Sequence, residues 1–178
     1  MRYLATRALL LSTLLLGCSG SVDSRTRLSI FAASSLTDSF QDLASEFEAQ
    51  NPSIAVELAF AGSQILRLQI EQGASVDLFA SANQKHLQEL VDDGYMGSPK
   101  VFASTDLVMI VPIANPAEIE TFQDLTRASR IVLGNEFSPI GLYTLEVLER
   151  ATADLGASFG SVVSERITSL ENNVRMVR

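Results

Sequence analysis

The chain has 178 residues, of which 47% are hydrophobic and 19% charged, and its formal net charge is −8. That balance suits an α/β protein with enough chain to bury a core, and its acidity excludes nucleic acid as a partner, which would demand a basic face. A lone cysteine excludes an intrachain disulfide.

The first segment reads as a leader. Met1 to Arg7 carries two arginines, and Ala8 to Leu16 is an almost unbroken apolar run. This is the layout of a secretory signal peptide over residues 1–17, too short to span a bilayer as a mature helix. Leu15-Leu16-Gly17-Cys18 resembles the bacterial lipobox, with Gly17 small enough for a peptidase. Cys18 is therefore expected to be lipidated and to become the first residue of the mature protein, the alternative being a free cysteine in an ordinary signal peptide. Residues 18–27 are polar, small and aperiodic, as a tether would be. Loss of the leader removes Arg2 and Arg7 and leaves the mature protein two charges more negative.

From Leu28 the pattern alternates. Leu28 to Ala33 predicts a strand, and Leu36, Phe40, Leu43 and Phe47 then recur at helical spacing until Asn51-Pro52 stops the helix. Ile54 to Phe60 predicts a second strand, followed by a short helix over Gln64 to Gln72 that Gly73 ends in a left-handed conformation. Val76 to Ala80 predicts a third strand, and a helix with His86, Leu87, Leu90 and Val91 on its apolar face ends at Gly94. Strand and helix alternating in this way imply a parallel sheet covered on both faces. After Pro99 the register changes. Leu107 to Val111 predicts a strand crossing into a second lobe, Phe122 to Leu125 a turn of helix, and Arg130 to Gly134 a strand. Ser138 then opens a helix that runs to about Thr152, Val162 to Ile167 is expected to be part strand, and Asn172-Asn173 cap a helix beginning at Val174. The sequence stops one turn later, as though cut short within the second lobe.

Three apolar runs end in Phe-Ala and hand over to small residues with serine: Phe31-Ala32-Ala33-Ser34-Ser35, Phe60-Ala61-Gly62-Ser63 and Phe79-Ala80-Ser81. The first two open helices, whose leading N–H groups have no intrahelical partner. They form anion cradles made of neutral donors, with no lysine or arginine among them. Helix capping is the competing role of these serines; it is expected to coexist with binding at Ser35 and Ser63 and to stand alone at Ser34 and Ser81. His86 is expected to be a half-exposed helix residue, Tyr143 a packing residue, and Met109 and Met176 core.

Five segments in order carry a resemblance: Phe31 to Asp38; Phe60 to Ser63 with Gln69 to Ala74; Val76 to Ala82; Gly134-Asn135-Glu136 with Pro139 to Tyr143; and Glu171 to Arg175. Together they resemble the molybdate-binding protein of ABC-type molybdate importers, over essentially all of Leu28 to Arg178. The resemblance implies an α/β periplasmic binding protein of type II fold. It has two lobes, each a mostly parallel sheet flanked by helices, with lobe 1 over 28–103 and an incomplete lobe 2 over 104–178. It implies capture of molybdate or tungstate and delivery to an ABC permease, with no enzymatic activity and no cofactor, by a monomer held at the periplasm or cell surface by its lipid anchor. Carried over residue by residue, the oxyanion, and through it molybdenum, is held by the hydroxyls of Ser35 and Ser63 and the backbone N–H groups of Ile140 and Val174. Ile140 departs from the small residue common there. A fifth donor in the family, a tyrosine, lies on a strand beyond Val174 that this sequence does not reach, and Tyr143 is too early to replace it. Weak or no anion binding is therefore expected of the polypeptide as written.

The chemistry suits that ligand. Molybdate near neutral pH is a fully deprotonated tetrahedral dianion whose oxygens only accept hydrogen bonds. A protonated phosphate would want a carboxylate acceptor, and Asp38 and Asp77 lie near enough in sequence to keep that alternative open. Sulfate offers the same acceptors as molybdate and differs in size. A serine hydrolase is the competing class, but there is no G-x-S-x-G, and His86, the sole histidine, is not placed as a base.

Overall fold

A computed structural model describes residues 24–177; the expected signal peptide, Cys18 and most of the expected tether lie outside the described residues. Strand β1 (Thr26–Ala33) is the centre of a three-stranded sheet in the order β2-β1-β3, with β2 (Ile54–Ala61) and β3 (Leu78–Ala80) both parallel to it. It begins two residues before the apolar run, because Thr26 donates its N–H to Ser53 O at 2.8 Å and pairs with Ile54. Parallel neighbours need crossover connections, which α1 (Thr37–Gln50) and α2 (Ser63–Glu71) supply before α3 (Gln84–Asp92). The chain winds outward to β2 and returns past β1 to β3. That reversal leaves a crevice at the carboxyl ends of the strands, where the first two serine turns lie.

Leu66 and Ile70 of α2, Phe79 of β3 and Leu90 of α3 form the core of this sheet, with Phe31 and Leu87 packed against them. Gly73 and Gly94, at φ +94° and +77°, end α2 and α3 in the left-handed turn that glycine adopts without a Cβ clash. On α1 the helix forms where its periodicity predicts it, but Leu43 and Phe47 stay exposed; Phe40 instead meets the ring of Phe102 edge-on, with centroids 6.1 Å apart. Leu90 is completely buried. Leu90→Ala is expected to lower unfolding free energy by about 2–5 kcal/mol through lost burial and the cavity left behind. Urea denaturation followed by circular dichroism measures it, and a loss under about 1 kcal/mol would show that this core does not hold the sheet.

The second unit is a parallel pair, β4 (Ile131–Gly134) and β5 (Ile167–Glu171), with α4 (Pro139–Leu155) and α5 (Ala157–Glu165) between them in sequence. Phe159 and Val163 of α5 pack with Ala128 and Ile131, and Phe159 meets Phe122, where the expected turn of helix is a 3-10 turn (Phe122–Arg127). One expectation holds only at its end and another fails. Of Val162 to Ile167, expected to be part strand, Val162 to Glu165 is helical and the strand begins at Ile167, since Phe159 and Val163 reach the core at helical spacing, four residues apart. Leu107 to Val111 forms no strand and finds no ladder partner; it lines an apolar cavity of about 590 Å³ with β4, Val147 and Leu148. Val108 and Ile110 are exposed, Met109 lies at the surface rather than in the core, and so do Met176 and Tyr143.

Candidate functional site

The three serine-bearing strand ends do not cap their helices. An N-cap residue sits before the first turn with an extended backbone, and those positions fall to Ala33 (φ −54°, ψ 143°) and Gly62 (φ −62°, ψ 141°). Neither has a side-chain acceptor. Ser34 and Ser35 already lie in a 3-10 turn (Ser34–Leu36), and Ser63 is the first residue of α2. The leading N–H groups of both turns are thus left without a side-chain cap, which keeps them available to an outside acceptor. Ser81 does not cap α3 either. Asn83 does, accepting from His86 N–H at 3.2 Å, while the Ser81 hydroxyl accepts from Asn83 N–H at 3.3 Å.

The two candidate serines differ sharply in setting. Ser35 is exposed, and its hydroxyl has no hydrogen-bond partner among the described residues. Ser63 is fully enclosed, at 0% exposure, and its Oγ accepts the N–H of Ala82 at 3.0 Å. That bond ties α2 to the end of β3 and leaves the hydroxyl's own proton free to donate.

The facing half is built on β4 and β5. Ser138 caps α4: its Oγ accepts from Gly141 N–H at 3.2 Å and donates to Asn135 O at 2.8 Å, and Pro139 at the first helical position lacks the N–H that would need a partner. Ile140 follows, so its N–H is one of the first-turn donors the helix leaves unpaired. Its side chain lines the apolar cavity of the second unit, which Val147 and Leu148 also line. Val174 opens a 3-10 turn (Val174–Met176), shorter than the expected helix, whose cap Asn173 accepts from Arg175 N–H at 3.0 Å.

All four candidate turns meet between the two sheets. Asn135 Nδ2 donates to Asn172 Oδ1 at 2.6 Å, joining the Ile140 turn to the Val174 turn. Asn172 O in turn accepts from Gln64 Nε2 at 2.7 Å, and a Cβ added to Gly62 would stand 2.6 Å from that same oxygen. Arg175 Nε donates to Ser34 O at 2.9 Å, and its Nη2 pairs with Asp38 Oδ2 at 2.6 Å. A guanidinium therefore lies beside the first cradle, which sequence order alone placed among neutral groups. Asp38 is engaged by it, and Asp77 Oδ2 accepts from Ser29 N–H at 2.8 Å, so both carboxylates that sequence left open as acceptors for a protonated oxyanion have structural partners. Asn135, Asn172 and Arg175 are the residues sequence reasoning passed over. All three lay inside motifs already singled out, but their roles depend on contacts between turns far apart in the chain.

His86 is buried, at 5% exposure, not half-exposed, and its Nε2 lies 3.0 Å from Phe137 O. A carbonyl only accepts, so Nε2 carries the proton and Nδ1 is the bare nitrogen. Nδ1 stands 3.6 Å from Glu89 Oε2, and Glu89 and Glu71 both pair with Arg67. Burial holds the ring below the ordinary histidine pKa, Arg67 and Lys85 add to that, and the Phe137 carbonyl and Glu71 pull the other way. A depressed histidine pKa means that the folded state binds fewer protons than the unfolded chain. Its share of stability is complete above the unfolded value of about 6.5 and is lost as pH falls through that value toward the folded pKa. Stability is accordingly expected to fall from pH 7.5 to 5.5, and to fall less in His86→Gln. Denaturation midpoints at the two pH values check this; equal slopes in both proteins would assign the effect elsewhere.

Two parallel-sheet units, joined where helical turns at the carboxyl ends of their strands meet, are the architecture of a two-lobed solute-binding protein. The chain belongs to the bacterial extracellular solute-binding protein family, whose model matches residues 28–178. It is 37% identical over 120 residues to the molybdate-binding protein ModA of Mycobacterium tuberculosis, a match covering 66% of this chain and 46% of that protein. It is 32% identical over 136 residues to the molybdate-binding protein ModA of Escherichia coli, covering 71% of this chain and 52% of that protein. The chain spans about half the length of these curated relatives. In three dimensions it is similar to the Azotobacter vinelandii periplasmic molybdate-binding protein, with a TM-score of 0.54 and 21% identity over 84% of this chain and 64% of that one, which shows the shared fold.

Proposed function

We propose that this chain captures molybdate or tungstate outside the cytoplasm and presents it to an ABC permease, as a binding protein and not an enzyme. Ser35 and Ser63 supply hydroxyl donors from lobe 1, residues 28–103, and Ile140 and Val174 supply backbone N–H groups from lobe 2, from residue 104 on. The observation that carries this reading is the convergence of four helical turns, two of them capped by residues without a side-chain acceptor, at the junction of the two units. Such a set of donors suits a fully deprotonated dianion. Each charge-assisted bond contributes roughly 1.5–3 kcal/mol and each helix terminus about 0.3–2 kcal/mol, so several together must offset desolvation of the anion. Membership of an extracellular binding family and the molybdate ligand named for two of its relatives support the same reading. Cys18, through its lipobox-like setting, would anchor a monomer to the membrane.

Thermal unfolding of a protein extended to the length of its relatives, with millimolar molybdate, tungstate or sulfate, tests the proposal, because a ligand that binds only the folded state raises the midpoint by mass action. Rises with molybdate and tungstate but not with sulfate are expected. A rise with sulfate alone, or with none of the three, would overturn it.

A further inference from the structure

Three side chains cross from one unit to the other, and each donates to a main-chain carbonyl, Arg175 pairing with the Asp38 carboxylate as well. Gln64 Nε2 donates to Asn172 O at 2.7 Å, His86 Nε2 to Phe137 O at 3.0 Å, and Arg175 Nε to Ser34 O at 2.9 Å. Two reach from the first unit to the second and one reaches back. Every accepting carbonyl adjoins a candidate donor: Ser34 precedes Ser35, Phe137 leads into the turn of Ser138 and Ile140, and Asn172 stands two residues before Val174.

We propose that Gln64, His86 and Arg175 form an interlobe clasp of positioning residues that sets the spacing of the two donor halves and must release before an anion reaches Ser63. Three independent contacts fix a rigid body against another where one would leave a hinge, and these contacts lie on three different elements of the first unit: α2, α3 and the 3-10 turn after β1. At Gly62 the two units touch directly, with no room for a Cβ beside Asn172 O. Each contact also engages a carbonyl whose partial negative charge would oppose a dianion if left turned toward it. Ser63 is fully enclosed in this arrangement, so the clasped form admits nothing to its hydroxyl. The gating role rests on the anion reading; the clasp itself does not.

Hydrogen exchange by mass spectrometry on the whole chain, without added anion, tests the clasp in Gln64→Ala, His86→Phe and Arg175→Gln. Exchange about tenfold faster is expected at residues 136–142 in His86→Phe and at 172–177 in Gln64→Ala, in the unit opposite the substitution, while the β4 amides at 131–134 keep their wild-type rates. For Arg175→Gln the faster segment should be residues 34–38. Unchanged rates in the opposite unit, or a rise shared equally by β4, would overturn the clasp, the latter because it marks general loss of stability. Should His86→Phe fail to fold, Gln64→Ala removes a contact at the edge of the cleft and decides the same question. The gating role is read separately with molybdate by stopped flow in a protein extended to the length of its relatives, where Gln64→Ala is expected to speed both association and dissociation. Equal rates would overturn the gate, whereas absence of molybdate binding in the unsubstituted extended protein would overturn the functional reading and leave the exchange result standing.

Discussion

Gly141→Ala is expected to cost the second unit upwards of about 3 kcal/mol, more than the same substitution at any other described glycine. A Cβ there would stand 1.8 Å from Asn135 O, 2.5 Å from Asn135 C and 2.7 Å from Gly134 O, all backbone atoms that no rotamer change can move aside. Relief requires the segment from Gly134 to Gly141 to open. That breaks the Ser138 cap on Gly141 N–H and pulls away Asn135, which accepts from the N–H groups of Phe137 and Ser138 and holds Asn172. The injury thus spreads from one helix start to the junction of the Ile140 and Val174 turns. Urea unfolding should show an early transition, with increased exchange at β4 and α4 while the β2-β1-β3 sheet is retained longer. A midpoint indistinguishable from that of the unsubstituted chain would mean that this turn is not packed as described.

Ser35→Ala and Ser63→Ala are expected to separate binding from folding. In a protein extended to the length of its relatives, either substitution should weaken molybdate binding about tenfold or more, since each removes a donor to a desolvated dianion. Their effects on stability should differ. Ser63→Ala removes the hydrogen bond that the fully enclosed Ser63 hydroxyl accepts from Ala82 N–H, a cost of about 0.5–1.5 kcal/mol, while Ser35 is exposed and its loss should be nearly neutral. Calorimetry with molybdate and denaturation without it measure the two halves of the effect. Unchanged affinity in both variants would remove the serines from the site, and equal destabilisation would contradict the contrast in burial.

The strand and helix order of the first unit was legible because each of its elements carries a full local signal. Leu28 to Ala33 and Ile54 to Phe60 are apolar runs of strand length, and Gly73 and Gly94 mark helix ends through a property of glycine itself. In the second unit local signals misled. Leu107 to Val111 is as apolar as any strand here, but a strand needs a ladder partner, and among the described residues β4 pairs only with β5. Val162 to Ile167 joins the end of a helix to the start of a strand, where apolar content alone cannot place the break.

The candidate site divides along the same line. Serines at the ends of two parallel strands, each opening a helical turn, were determined by the sequence, because strand end, small residue and helix start are neighbours in the chain. Which atoms cap those turns was decided one residue away from the expectation, at Ala33 and Gly62, by backbone angles that composition does not encode. The burial of His86, the Arg175 guanidinium beside Ser34, and the Asn135–Asn172 bridge were decided by tertiary structure alone. Each joins residues 37 to 141 positions apart, and only the packing of one sheet unit against the other brings such residues within hydrogen-bond reach.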